Sequence, residues 1–184
     1  MPASRGGTTE RGGKAPREDR QEGAGPGGGE TGMVPAKKVA RKAGPGTQYA
    51  ALCYRLRRDG TPEILLVTSR GTGRWIPPKG WPIRGKRPHK AAAREALEEA
   101  GVEGRVYKLA LGRYRFRRAG AAGGRVAREA YIFPLEVRRR RRDFKEKGQR
   151  KIRWFSRQQA AMLVREPKLK KIIRDFDPAL LPGR

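Results

Sequence analysis

Apolar and polar residues alternate along several short segments of this 184-residue chain, as in β-strands with one buried face. Residues 49–56 and 63–69 predict two such strands, and the Asp59-Gly60 pair between them predicts a tight turn. Further strands are predicted at residues 74–76, 106–116, 126–137 and 151–155, the middle two joined as a hairpin by a connection rich in glycine and alanine.

Three segments have helical patterns. Pro88 suits a first helical position and Gly101 suits a left-handed end, so we predict a helix over residues 88–100. Ser156 is a candidate N-cap for a helix reaching about residue 164, and residues 168–176 predict a last helix that turns Ile172, Ile173 and Phe176 inward. Strands with an early and a late helix predict an α/β fold, a mixed sheet between helices.

The helix over residues 88–100 has an acidic face. At roughly 100° per residue, Glu95, Glu98 and Glu99 fall within an arc of about 100°. Arg94 lies one turn before Glu98 and can orient its carboxylate. Carboxylate oxygens are ligands that Mg²⁺ and Mn²⁺ prefer, so the arc is a candidate cation site. The alternative is an ordinary solvated face with an Arg94–Glu98 surface pair. The opposite arc is apolar and is expected to be buried: Ala93, Ala96, Leu97 and Ala100.

Composition divides the chain into a tail and a domain. Residues 1–47 hold 12 of the 25 glycines and no Leu, Ile or aromatic residue, which predicts a disordered tail ahead of one folded domain at residues 48–184. No segment has the apolar core of a signal peptide or the length of a membrane span. Cys53, the single cysteine, is predicted in an apolar strand as a core residue, and a cytoplasmic location is expected.

The formal net charge is +27, of which the predicted tail supplies about +4. A field of this sign attracts polyanions, and it supports non-specific, salt-sensitive contact with nucleic acid. The run at residues 138–142 is either a solvated loop or a phosphate-binding rim. His89, the single histidine, is expected at the surface, Trp75 in the core, and Trp81 where it could stack on a base.

One set of residues resembles a known motif. Gly80, Arg94-Glu95, Glu98-Glu99, Gly101 and Val102 have the spacing of the Nudix box. The chain resembles in particular the subgroup of diphosphoinositol-polyphosphate and diadenosine-polyphosphate hydrolases, where a Pro-Lys-Gly-Trp-Pro lead like that at residues 78–82 is familiar. Two positions depart from the pattern: Lys86 stands where the first glutamate is usual, and Ala96 where a larger aliphatic residue is usual.

The resemblance implies a Nudix-type α/β/α sandwich that hydrolyses a phosphoanhydride bond with Mg²⁺ or Mn²⁺. The substrate would be a small polyphosphate: a dinucleoside polyphosphate, an inositol pyrophosphate or a nucleotide derivative. Glu95, Glu98 and Glu99 would hold the metal, with Arg94 in the catalytic group and Glu146 as a candidate additional acid. Cations and glycine on the approach to the box would bind substrate: Arg70, Arg74, Lys79 and Gly80. Lys86 keeps an alternative open, a catalytically weak Nudix-like module that binds a polyanionic ligand or RNA.

Overall fold

The computed structural model describes residues 32–119 and 124–183. Its helices lie near the start, in the middle and at the end of the described chain, with groups of strands between them. In order they are β1 (Val34–Pro35), α1 (Ala36–Lys42), β2 (Thr47–Leu56), β3 (Pro62–Thr68), β4 (Trp75–Ile76), β5 (Lys79–Gly80), α2 (Pro88–Ala100), β6 (Val102–Val106), β7 (Leu109–Ala110), β8 (Gly112–Ala119), β9 (Arg125–Arg140), β10 (Ile152–Ser156), α3 (Arg157–Leu163), α4 (Pro167–Arg174) and a 3₁₀ turn (Pro178–Leu180).

The main sheet is mixed. Its central order is β10-β3-β2-β9-β6, with β4 beside β3, β5 beside β2 and β8 beside β9. The β2–β9 pair is parallel, and the other pairs in this sheet are antiparallel. A separate two-stranded ladder joins β1 to β7.

Helices cover both faces of the sheet because the buried strands carry apolar residues on both sides. Along β2, Ala51 and Cys53 belong to the core that α1 and α2 close, whereas Leu52 and Tyr54 belong to the core that α3 and α4 close. The predicted α/β/α sandwich is confirmed, and Cys53 is fully buried as expected. No helix within residues 32–119 and 124–183 is long and apolar enough to cross a membrane.

The beginning of the domain differs from the predicted boundary at residue 48. Helix α1 lies inside the segment that was predicted as disordered, and its Val39 is fully buried against the α2 side of the core. The Ala36 amide also donates to the Lys108 carbonyl at 2.8 Å. Valine and alanine supply this contact. A segment can therefore pack on the domain without Leu, Ile or aromatic residues, and the lack of those residues was a poor guide here. Residues 1–31 lie outside the described residues.

The predicted strand at 106–116 is wrong in its continuity. The chain forms β6, β7 and β8 there, and β6 begins earlier, at Val102. Gly112, with φ 152°, opens β8, and the β6–β9 register shifts between Glu103 and Gly104. The alternation of apolar and polar residues does not predict where one strand ends and the next begins. The predicted connection of the hairpin falls largely on residues 120–123, outside the described residues.

Candidate active site

Helix α2 has the ends that its sequence predicts. Pro88 is its first residue, and Gly101 adopts φ 67°, the left-handed conformation, with its N–H directed to the Ala96 and Leu97 carbonyls. The segment at 141–150, between β9 and β10, is fixed to this end of the helix. The Arg141 amide donates to the Gly101 carbonyl at 2.7 Å and the Glu146 amide to the Glu98 carbonyl at 3.0 Å, so carbonyls without helical partners are satisfied.

The buried face of α2 is rotated from the predicted one. Ala96 and Ala100 are buried as expected, but Leu97 and Ala93 are only half-buried, and Glu99 is 5% exposed. The buried arc is completed by Ala91, Ala92 and His89. Glu99 is therefore buried at the edge of the core. Glu95 and Glu98, the other two carboxylates of the acidic arc, are only half-buried.

Two cations hold the Glu98 carboxylate. Arg94 Nε donates to Oε1 at 2.5 Å, and Lys145 Nζ donates to Oε2 at 2.6 Å. These hydrogen bonds lower the pKa of Glu98. The Arg94 pair was foreseen from helical spacing. The Lys145 pair was not, because it joins residues 47 positions apart.

Arg150 is the central cation of the site. Its guanidinium donates to Glu99 Oε1 at 2.5 Å, to Glu146 Oε2 at 2.6 Å and to the Thr68 carbonyl at 2.9 Å. The Lys79 amide adds a fourth link, donating to Glu99 Oε2 at 3.2 Å. Burial nevertheless raises the pKa of Glu99 to about 7, with Arg150 and the Lys79 amide acting in the opposite direction. Arg150 thus joins α2, the end of β3 and the segment at 141–150.

Glu95 is the carboxylate that lies against the glycine loop. A Cβ on Gly80 would collide with the Glu95 carboxylate, so a residue without a side chain is required for this contact. The Glu95 carboxylate makes no hydrogen bond or ion pair with any residue in the described part of the chain. Burial first, and then the charges of Glu98 and Glu146, raise its pKa.

Of the three predicted substrate cations, Arg70 is the one whose charged group lies at the carboxylate cluster. Arg70 Nη1 lies 3.6 Å from Glu146 Oε1, at the edge of the carboxylate cluster. Lys79 contacts the cluster through its backbone, while its Nζ lies 4.7 Å from the centre of the Phe116 ring. Arg74 instead pairs with Glu166, the N-cap of α4, at 3.7 Å, and that helix covers the other face of the sheet.

Two residues of the site were missed by the sequence analysis, Lys145 and Arg150. Both follow the basic run at residues 138–142, in a segment whose composition indicates only its charge. Their pairing with Glu98 and Glu99 depends on how the segment at 141–150 folds back, and no local spacing encodes that. Glu146, the predicted additional acid, does lie in this cluster.

A divalent cation is implied by the motif, and the donor set suits it. Four carboxylates from α2 and the segment at 141–150 meet here, and hard oxygen ligands are what Mg²⁺ and Mn²⁺ require. Burial is the main cause of the raised pKa of Glu95, and the charges of Glu98 and Glu146, which a cation would offset, add to it. With Glu98 and Glu99 held by basic side chains, no three acidic, histidine or cysteine residues in the described segments are arranged as ready metal ligands. Binding an ion would thus require these carboxylates to exchange partners.

The side chains near the box differ in exposure. His89, expected at the surface, is 2% exposed, because it lies on the buried arc of α2 next to Phe133. Trp75 is half-buried and packs edge-on against Phe155 with ring centroids 5.0 Å apart. Trp81 is 41% exposed, with the Arg128 guanidinium 5.2 Å from its ring centre.

Several known proteins resemble this chain in sequence. Nudix hydrolase 12, mitochondrial, of Arabidopsis thaliana is 32% identical over 120 residues, which cover 62% of this chain and 58% of that protein. Diphosphoinositol polyphosphate phosphohydrolase 3-alpha of Mus musculus is 46% identical over 61 residues, 33% of this chain and 36% of that protein. The chain thus spans less than two thirds of the length of these relatives.

A solved structure has the same fold. The NUDIX domain of Shewanella oneidensis NrtR, crystallised with ADP ribose, aligns with a TM-score of 0.51 at 13% identity, over 76% of this chain and 96% of that one. Residues 46–176 match the family described as NUDIX domain. That match covers well over half of the sequence, which confirms the resemblance seen in the motif: the chain belongs to the Nudix family.

Proposed function

We propose that this protein hydrolyses a phosphoanhydride bond in a diphosphate linked to another group. The observation that carries the proposal is the position of the Glu95 carboxylate against Gly80, beside Glu98, Glu99 and Glu146. Family membership supports the same activity. The candidate substrates are dinucleoside polyphosphates, inositol pyrophosphates and nucleotide derivatives. The relative named as a diphosphoinositol polyphosphate phosphohydrolase supports the second class.

Glu95, Glu98 and Glu99 are the proposed metal ligands, for Mg²⁺ or Mn²⁺. When bound, the ion would neutralise phosphate charge and lower the pKa of a water molecule. Arg94 acts through Glu98, whose carboxylate it orients. Lys145 now holds Glu98, and Arg150 holds Glu99 together with Glu146 and the Thr68 carbonyl. If the carboxylates took up an ion, these two cations would lose a carboxylate partner and could stabilise the substrate's phosphates.

A proton acceptor is also required. Among the four carboxylates, Glu95 is the one whose oxygens have no hydrogen bond or ion pair within the described segments. Burial raises its pKa in the protein without an ion, which favours uptake of a proton at an Oε atom that an ion would leave uncoordinated. Glu146 is the second candidate, but its carboxylate would first have to leave Arg150, which it meets at 2.6 Å.

The substrate is held by backbone and cations at the box. Gly80 lets the chain approach closely, and the Arg70 guanidinium stands at the edge of the carboxylate cluster. Lys79 contacts the cluster through its amide, and its Nζ would have to leave the Phe116 ring to reach a phosphate there. Arg74 remains a proposed ligand, but it is the weakest of the four, because it would have to exchange its Glu166 partner for a phosphate.

Glu98→Gln tests the assignment. It preserves shape and removes the charge, so metal-dependent phosphate release should fall by about 100-fold or more while the far-ultraviolet circular dichroism spectrum is unchanged. The assay uses a panel of the three substrate classes with Mg²⁺ or with EDTA. Glu63→Gln, which removes a surface pair with Arg55, is the matched control and should stay within about twofold. Release that persists in EDTA, or full activity of Glu98→Gln, would refute the proposal.

Polyanion binding without catalysis is the second candidate function. The observation that favours it is a row of exposed arginines on alternate positions of β8: Arg113, Arg115 and Arg117. Non-specific RNA binding there should weaken steeply with salt and survive replacement of all three box glutamates by Gln. Retained RNA affinity with no turnover of any diphosphate would favour this function over hydrolysis.

A cytoplasmic location stays a prediction. Three relatives have organelle designations in their names, mitochondrial for two and chloroplastic for one. Fluorescent tagging of the full chain at its C-terminus would decide among these compartments.

A further inference from the structure

An open pocket with a volume of about 490 Å³ lies beside the candidate active site, between the end of β9 and the start of β10. We call it the arginine pocket. Five of its eight lining residues are basic and none is acidic: Arg140, Arg141, Arg142, Lys147 and Arg150, with Phe144, Gly148 and Ile152.

One wall of the arginine pocket is fixed by its own contacts. Arg141 pairs with Glu103 through two hydrogen bonds, and its amide donates to the Gly101 carbonyl at 2.7 Å. The Phe144 ring lies so close to Gly101 that a Cβ there would collide with it. These contacts hold the wall in place without using the remaining cations.

Three cations of the pocket, Arg140, Arg142 and Lys147, are poorly neutralised. Arg140 and Arg142 are exposed and have no ion pair in residues 32–119 and 124–183. Lys147 has only Asp143, at 3.7 Å, and that carboxylate is 93% exposed. An exposed pair of this kind contributes little, so the pocket keeps an excess of positive charge.

The arginine pocket is adjacent to the carboxylate cluster but separate from it. Arg150 lines the pocket and bonds Glu99 on its far side. Beyond Arg141 and Phe144 lies a smaller depression of about 230 Å³ that contains Glu98. Glu95 and Gly80 line neither concavity, so a ligand in the pocket would leave the proposed reaction centre open.

We propose that the arginine pocket is a second anion site, for a ligand that carries two or more linked phosphates. Guanidinium groups present paired N–H donors that match phosphate oxygens, and Arg140 and Arg142 both have theirs available. Several phosphates are needed to use Arg140, Arg142 and Lys147 together. The proposal goes beyond hydrolysis, because binding here needs neither a metal ion nor the box glutamates.

Titration calorimetry with inorganic tripolyphosphate in EDTA tests the site. The doubly substituted Arg140→Ala/Arg142→Ala protein should bind at least tenfold more weakly than the unaltered chain. Its control is Arg58→Ala/Arg139→Ala, which removes the same charge from exposed positions outside the pocket. The control should bind within about threefold of the unaltered chain, since only the general field has changed.

Glu98→Gln separates this site from the proposed reaction centre, and it should bind tripolyphosphate in EDTA as the unaltered chain does. Equal weakening in both double variants would overturn the proposal, because binding would then follow net charge alone. Absence of saturable binding would overturn it too, as would loss of binding in Glu98→Gln. None of these results depends on turnover, so they are distinct from a failure of the proposed hydrolysis.

Discussion

At the scale of single residues, Gly80 and Glu95 make the sharpest prediction. The atoms that a Cβ on Gly80 would meet are the carboxylate end of a flexible side chain, which can move at little cost. Gly80→Ala should therefore change the free energy of unfolding by less than about 1 kcal/mol. Displacing Glu95 should nevertheless lower metal-dependent phosphate release by roughly 100-fold. Chemical denaturation and the phosphate assay measure the two effects separately.

Gly71 supplies the control for this substitution. It precedes the box and has open space around the position of a Cβ, with no positive φ. Gly71→Ala should leave both stability and activity unchanged. If Gly80→Ala instead keeps full activity, the close approach of Glu95 to the loop has no catalytic importance.

His89 predicts a pH dependence of stability. Burial, followed by the charges of Lys90, Arg87 and Lys108, lowers the pKa of His89 below its ordinary 6.5. The unfolded chain then takes up this proton at higher pH than the folded chain. The contribution of His89 to stability is thus complete above about pH 6.5 and is lost as the pH falls through the folded pKa.

The titration is simple to observe, because His89 is the single histidine of the chain. One imidazole resonance followed by NMR should give a pKa below 6.5. The fall in urea midpoint between pH 7.5 and 5 should be smaller in His89→Gln than in the unaltered chain. A measured pKa at or above 6.5 would contradict the burial of this ring.

At the scale of elements, α1 tests where the domain begins. Val39 is fully buried although its neighbours Lys37, Lys38 and Arg41 are exposed. Val39→Ala removes two methyl groups from this contact and should lower the free energy of unfolding by roughly 2 kcal/mol. Ala40→Ser, at an exposed position of the same helix, is the control and should change it by less than about 0.5 kcal/mol. Equal effects would mean that α1 does not pack on the domain.

Local signals predicted some elements well and others poorly. The ends of α2 were predicted because proline and glycine encode their own backbone preferences at Pro88 and Gly101. Ser156 likewise caps α3, completing a capping box with Gln159. The breaks among β6, β7 and β8, and the contact of α1 with the core, depend on distant partners and were missed. Lys145 and Arg150 were also missed, because their partners Glu98 and Glu99 are distant in the sequence.

At the scale of the whole molecule, charge is the dominant property. Residues 1–31 hold five basic and five acidic residues, so the entire net charge of +27 lies in residues 32–184. Like charges repel one another in a compact state, and salt screens that repulsion. The melting temperature should thus rise by a few degrees between roughly 20 mM and 500 mM sodium chloride.

Sodium chloride is the appropriate salt for this measurement, because phosphate or sulfate could also occupy the arginine pocket. A melting temperature that falls with sodium chloride would mean that attractive ion pairs outweigh the repulsion. The sign of this charge could be predicted from composition alone. The pairing of Lys145 with Glu98 and of Arg150 with Glu99 could not be predicted, since it depends on the path of the segment at 141–150.

The guanidinium of Arg150 has a consequence for the order in which ligands arrive. Four carboxylates, those of Glu95, Glu98, Glu99 and Glu146, are opposed at short range by Arg94, Lys145 and Arg150. Taken together these side chains carry only about one negative charge, instead of the strong negative potential that bare acidic clusters have. A polyphosphate can therefore approach the vacant enzyme without severe repulsion, and substrate and ion need not enter in a fixed sequence.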